Sequence, residues 1–222
     1  MKRYELTFKG LNPLIQHNDN LTFAEAIKAW RDDPANAALS INGDDRSPPW
    51  TWIGYLYHNG EYIGLPSDNI MTMFRQGGSK VPFKGKETFK KQTQSGIIVD
   101  QQQFDLFSSI GKRIPIKPFE KLLDDLNFNN HLKSVEENGF ELFVKRAPVG
   151  RAKHVRARPL FRQWVAKGTI TVLNEEISGL TMNILETILR VCGSTVGLCD
   201  WRPSSPKSGS YGTFEFELTP IK

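Results

Sequence analysis

Cysteine and histidine are scarce in this chain. Cys192 and Cys199 are the only thiols, and His17, His58, His131 and His154 are scattered along 222 residues. Two cysteines without paired Cys/His spacing cannot build a zinc site by themselves, and they are expected to be a reduced, cytoplasmic pair. No apolar run approaches the roughly 18 residues of a transmembrane helix, so no membrane partner is expected. The opening Met-Lys-Arg-Tyr-Glu-Leu-Thr-Phe lacks the apolar centre of a secretory signal. Internal repeats and long low-complexity tracts are missing as well. No carboxylate cluster has metal-ligand spacing, and His17 has no nucleophile or carboxylate partner at motif spacing. The expectation is a non-enzyme without metal or cofactor, one domain over 1–222, acting in the cytoplasm.

What the chain does have is charge, unevenly placed. The net charge is only +5. Yet Lys145 to Lys167 holds eight Lys/Arg (Lys145, Arg146, Arg151, Lys153, Arg156, Arg158, Arg162, Lys167) and no acid. Arg75 to Lys91 holds six bases against Glu87 alone, and between the two runs Phe119 to Glu141 carries six acids. Such segregation is the electrostatic footprint of a polyanion-binding surface, although a basic run is also how a solvated face looks.

Hydrophobic periodicity supplies the elements. Tyr4, Leu6 and Phe8 alternate as a half-buried strand, and Leu14 and Ile15 return to the core after Pro13. Thr22-Phe-Ala-Glu25 reads as a capping box, with Leu21 stapling Ala26, opening a helix that ends before Pro34. Trp50 to Tyr57 reads as an aromatic strand turning at Asn59-Gly60 into Glu61 to Leu65, a hairpin able to project as a thumb. Ser67 to Gln76 is a helix with Ile70, Met71, Met73 and Phe74 on its buried face, stopped by Gly77-Gly78. Gly96 to Val99, Glu141 to Val144 and Thr169 to Leu173 are strands, and Glu120 to Phe128 a short acidic helix. Thr181 caps a helix to Cys192, and Tyr211 to Leu218 is the closing strand. Strand, helix, strands, helix, strand is the order of an α+β, ferredoxin-like (RNA-recognition-type) antiparallel sheet with two helices, here with insertions at about 19–65 and 107–165.

The stretch before the last strand attracts the most attention. Glycines at 193, 197, 209 and 212 permit positive backbone dihedrals and close approach of a ligand. Trp201 and Arg202 offer a stacking ring and a phosphate- or base-binding fork. The plainer reading packs Trp201 on the core and pairs Arg202 with Asp200. The lysine-rich loop from Lys80 to Lys91, with Lys84 and Lys86 between Phe83 and Phe89, has the basic-aromatic mixture suited to single-stranded nucleic acid. Arg156 and Arg158, then Lys153 and Arg151, are the phosphate candidates of the mid-chain run. The alternative for the two arginines is a buried scaffold holding the loop before Pro159.

Phe8-Lys-Gly-Leu-Asn-Pro-Leu-Ile-Gln-His-Asn18, Tyr62-Ile-Gly-Leu-Pro66, Arg156-Ala-Arg-Pro-Leu-Phe-Arg-Gln-Trp164, Gly197-Leu-Cys-Asp-Trp-Arg-Pro203 and Tyr211-Gly-Thr-Phe-Glu215 resemble patches, in the same order, of an uncharacterised bacteriophage and prophage protein family. More distantly the chain resembles the RAMP superfamily, in particular the backbone subunit that coats guide RNA in CRISPR interference complexes. It is shorter than those subunits and spaces its loop glycines more widely. The resemblance implies a modified RNA-recognition fold, self-assembly into a homo-oligomer, and contact with a nucleic-acid backbone in a bacterial host cell. The expected function is therefore a non-catalytic protein that polymerises along RNA or single-stranded DNA. A protein-interaction module that mimics or blocks a host RAMP-like complex is the second reading, and an RNA-processing nuclease the third.

Overall fold

The computed structural model describes residues 1–150 and 152–221, with Val149 described by its backbone alone. In chain order the elements are β1 (Lys2–Gly10), β2 (Leu14–Ile15), α1 (Leu21–Asp32), β3 (Gly64–Pro66), α2 (Ser67–Gly78), α3 (Lys90–Gly96), β4 (Ile97–Val99) and β5 (Gln103–Phe107). They continue as α4 (Lys117–Glu120), α5 (Phe128–Glu137), β6 (Glu141–Val149), β7 (Ala152–Phe161), β8 (Val165–Val172), α6 (Glu175–Ser178), α7 (Met182–Val191) and β9 (Phe214–Ile221). The class is α+β, with antiparallel pairing within two sheets rather than one.

The larger sheet runs β3-β5-β8-β1-β9, with β4 also on β8. β8 is its centre, and β1 lies between β8 and β9 with Tyr4, Leu6 and Phe8 inward while charged residues point out. Phe8 is fully buried, stacked on Phe104 at 5.5 Å and tilted against Phe214 at 4.5 Å. Burying such a ring contributes about 1.5–3 kcal/mol. β4 and β5 share β8 with registers that differ by three residues, since Ile97 faces Val172 but Asp105 faces Lys167. At the resulting bulge the Gln101 side-chain oxygen accepts from the Thr169 amide at 3.0 Å, replacing the missing ladder bond. α2 and α7 turn Ile70, Met73 and Phe74, and Leu185, Ile188 and Leu189, toward the core. They approach closely because Gly77 has no Cβ to meet the Cys192 sulfur. Thr181 caps α7 through the Ile184 amide, as its sequence predicts.

The smaller sheet, β2-β7-β6, leans on the same core through Leu14, Leu142 and Phe161. Several local expectations are corrected here. Trp50 to Tyr57 is a 3-10 helix over Pro49–Tyr55, not a strand, so no aromatic hairpin projects from this region. Trp50, Thr51, Trp52 and Ile53 are all buried, and a strand with one wet face would expose alternate residues. The turn at Asn59-Gly60 does form, closed by an antiparallel bridge between His58 and Ile63, and the return continues as the short strand Gly64–Pro66, which pairs with β5. α1 is capped by Asn20, whose side chain accepts from the Phe23 amide, rather than by Thr22. Glycines 77 and 78 lie inside α2. The acidic helix of 120–128 is replaced by two helices, α4 and α5, because Asn127 caps the second at Phe128. Lys80 to Lys91 is no open loop: Pro82 bridges Thr88 in a tight turn, and α3 starts at Lys90.

Candidate nucleic-acid interface

β6 and β7 form a long hairpin whose ladder runs from Glu141–Leu160 to Val149–Ala152. Leu142, Ala157, Leu160 and Phe161 bury its base, while Val144, Lys145, Arg146, Pro148, Ala152 and Lys153 are exposed toward its tip. One end is anchored and the other reaches into solvent. Directly opposed residues share a face, and the register opposes Phe143 to Arg158 and Lys145 to Arg156. Lys153 and Arg146 fall on the other face. Arg151 lies outside the described residues.

Lys145 opposite Arg156 places like charges together, which disfavours the pairing. Each arginine of this face takes a carboxylate from outside the hairpin. Arg156 Nη1 donates to Asp45 Oδ1 at 2.9 Å. Asp45, only 3% exposed, also accepts from the Tyr55 hydroxyl at 3.1 Å and the Ala157 amide at 3.3 Å. It is brought there by residues 43–45, which run parallel to β7: Val155 N donates to Gly43 O at 2.8 Å, and Asp45 N to Val155 O at 2.9 Å. Burial, with the adjacent Asp45 carboxylate, pushes the Tyr55 phenol up to about 12, so it stays a donor.

Arg158 donates through Nη1 to Asp200 Oδ2, and Asp200 Oδ1 accepts from the Trp201 amide at 3.0 Å. His17 Nδ1 lies 3.8 Å from Asp200 and its ring meets Tyr55 edge-on at 4.7 Å. Burial and the Arg158 charge hold His17 below the ordinary histidine value, with Asp200 offsetting them only in part. Asp200 therefore pairs with Arg158, not with Arg202. Arg202 is folded inward, donating to Cys199 O at 2.7 Å and Ser204 Oγ at 3.0 Å.

Above this face sits an aromatic cluster. The Trp201 ring stacks on Tyr211 at 6.0 Å and 29°, and Phe143 meets Trp201 edge-on at 6.2 Å. Lys145 Nζ is 4.9 Å and Arg158 Cζ 5.6 Å from the Trp201 ring centre. Cations over an indole face are attracted by its quadrupole. The half-exposed rings offer π-faces beside phosphate-seeking charge, which is what binding an unpaired base and its backbone requires.

The glycines nearby serve the chain itself. A Cβ at Gly193, Gly209 or Gly212 would run into the carbonyl of Phe214, Trp201 or Leu198, so no ligand backbone enters at these points. The left-handed positions that stand out are not glycines: Cys199 at φ 60° and Trp201 at φ 51°, on either side of Asp200. Burial pushes the Cys199 thiol up to about 12, which leaves it protonated and unreactive at neutral pH.

Of the sequence candidates, then, Arg158 and Trp201 meet, Arg156 lies on the same strand face two residues before Arg158, and Arg202 is adjacent in sequence but turned inward; both arginines of the strand already hold carboxylates. Lys153 points from the opposite face of the arm. Lys84 and Lys86 are exposed on the Pro82–Thr88 turn, where Phe83 packs edge-on against Phe89 at 4.9 Å and lies beside Gly179. Gly179 follows β8, whereas Trp201 lies beside Gly209 ahead of β9, at the other end of the sheet; eight strand residues separate those ends by about 25 Å. Sequence reading missed Phe143, Lys145 and Tyr211 as site residues. The i, i+2 spacing of Phe143 and Lys145 was the available signal, since it puts a ring and a cation on one strand face.

No protein-family model matches the chain, and no curated protein is similar to it at a significant level. Among the described residues no group of three or more His, Cys, Asp or Glu is placed to hold a metal ion. Nor is any described helix long and apolar enough to cross a membrane. Fold and site together define an α+β protein carrying a basic β-arm and a cation-flanked aromatic patch.

Proposed function

We propose that this chain is a non-catalytic nucleic-acid-binding protein that self-assembles along RNA or single-stranded DNA, phage-encoded or acting in a CRISPR-like assembly. The observation that carries the reading is the Trp201–Tyr211–Phe143 cluster with Lys145 and Arg158 beside the indole, at the foot of an arm bearing Arg146 and Lys153. The ferredoxin-like reading of the core is supported by its connectivity: β1, α2, the β4–β5 pair, β8, α7 and β9, in the spatial order β5-β8-β1-β9. On this reading stacking supplies sequence-tolerant affinity, and the arm's lysines and arginine track phosphates. Each phosphate contact adds about 0.7 to the salt slope on a single strand.

Size-exclusion chromatography of the purified protein, before and after nuclease and high salt, tests the proposal. A large particle whose ultraviolet spectrum shows nucleic acid, and which collapses on treatment, is the expected result. A small nucleic-acid-free species that ignores oligonucleotides at low salt would overturn it.

One observation favours the protein-interaction alternative: Arg156 and Arg158 already carry carboxylates, leaving fewer open cations than the sequence promised. That reading takes the arm as meeting an acidic protein, and predicts a partner in pull-down with little oligonucleotide binding.

A further inference from the structure

The two carboxylate-bound arginines of β7 differ in kind. Asp45 is sealed, with Arg156, the Tyr55 hydroxyl and the Ala157 amide on its oxygens, and it is pinned by backbone bonds to β7. The side chain of Asp200 is 27% exposed and is presented by a loop with a left-handed non-glycine residue on each side of it. Such conformations cost free energy and persist only where surrounding contacts impose them. Arg158 is 13% exposed, and its Nε has no hydrogen-bond partner although no solvent reaches it. Asp200 engages the guanidinium through Nη1 alone, so the fork is only half used. A phosphate, with several acceptor oxygens in the right plane, can take Nη1 and Nη2 together end-on, which requires the Nη1 that Asp200 holds.

We propose that Asp200 is a built-in competitor for the phosphate site of Arg158: a phosphodiester displaces its carboxylate from the guanidinium, and the Trp201 segment relaxes so that the indole becomes a stacking platform. This deepens the nucleic-acid reading and rests on it. Binding the ligand and unlatching the loop become one event. The cost of unlatching is common to every anion and sets a threshold that an isolated weak phosphate does not pass, while a strand that also stacks on Trp201 does.

The test compares wild type with Asp200→Asn, and with Asp200→Ser as a second variant, for binding of a short oligouridylate and a short oligothymidylate at fixed salt. In parallel, inorganic pyrophosphate is titrated while the Arg158 Nε resonance is followed by nitrogen NMR. Removing one like charge beside the phosphate should tighten oligonucleotide binding roughly fivefold, and the pyrophosphate response of Arg158 should appear at lower concentration than in wild type. If wild type binds oligonucleotides and the folded variants bind equally or more weakly, the competitor role is wrong while the function stands. If no version binds oligonucleotides, the function fails, and the pyrophosphate titration decides the latch separately: an Arg158 response enhanced in the variants supports it, and no response in any version overturns it. Loss of the folded state in both variants would make Asp200 a scaffold residue, and would overturn it too.

Discussion

Trp52 Nε1 donates to His131 Nδ1 at 3.1 Å, and both side chains are wholly buried. The other ring nitrogen of His131 lies 2.8 Å from Asp125 O, so the imidazole is neutral and carries its proton on Nε2. Burial holds its pKa below the ordinary histidine value. In the unfolded chain this histidine takes up a proton below about pH 6.5, where the folded one does not. Its contribution to stability is therefore complete above that pH and falls as pH drops toward the lowered folded value. His17 is shifted in the same direction and adds to the loss. Urea midpoints measured across this range should be flat at neutral pH and decline below about pH 6.5.

Trp52→Phe leaves His131 Nδ1 buried without a donor. Urea unfolding should show a loss of about 1–3 kcal/mol. The His131 proton resonances should also titrate at higher pH than in wild type, because the lone pair that Trp52 had occupied is free to take the proton.

Asp45→Ala removes the acceptor of Arg156, Tyr55 and the Ala157 amide at once. Arg156 is 29% exposed and regains some water, so the expected cost is about 2 kcal/mol rather than the larger figure of a fully buried pair. Asp45→Asn keeps an acceptor and should cost less, measured by the same denaturant titration.

Two glycine substitutions should separate backbone strain from collision. Gly85, at φ +59°, has nothing near its missing Cβ, so Gly85→Ala should lower Tm by about 2–4 °C. Gly212, at φ +67°, faces the Leu198 carbonyl, so Gly212→Ala adds a clash to the strain and should lower Tm by roughly twice as much or more. Differential scanning calorimetry of the pair checks the ordering.

Trp201→Ala should weaken oligonucleotide binding by about 1–3 kcal/mol, the usual worth of one stacked base. Lys145→Ala should reduce the salt slope by about 0.7. Lys84→Ala with Lys86→Ala should leave affinity for a short oligonucleotide unchanged, because those lysines lie at the far end of the sheet; fluorescence anisotropy across a salt series distinguishes the three outcomes.

What could be read from sequence was what local periodicity encodes. Tyr4, Leu6 and Phe8 announce β1, and Thr181 with Leu185, Ile188 and Leu189 announces α7, because each is a one-faced element with an ordinary signal. Trp50 to Tyr57 misled for a physical reason: its aromatic spacing imitates a strand, but every residue from 49 to 54 is buried, so spacing carried no information about faces. Asn20 caps the first helix two residues ahead of the expected Thr22, and Asn127 starts a helix where the acidic one was expected to end, since an Asx side chain takes a nearby amide whatever the periodicity around it. The Arg158–Asp200 pair joins residues 42 positions apart and depends on the β6–β7 register and on the left-handed loop, neither of which composition reveals. Basic residues were recognised as a run, but which of them already held a carboxylate was a tertiary fact.

β9 closes the larger sheet with one full side of its backbone unpaired, and Glu215 and Glu217 stand exposed along it with Pro220 near its end. A second copy related by a two-fold axis at that margin would run antiparallel, setting Glu215 against Glu217 in a register centred on Phe216 and meeting at Pro220 a residue with no amide to donate. Symmetric back-to-back association through this strand is thereby disfavoured. A two-fold dimer of this chain would therefore have to be built on some other surface than this strand.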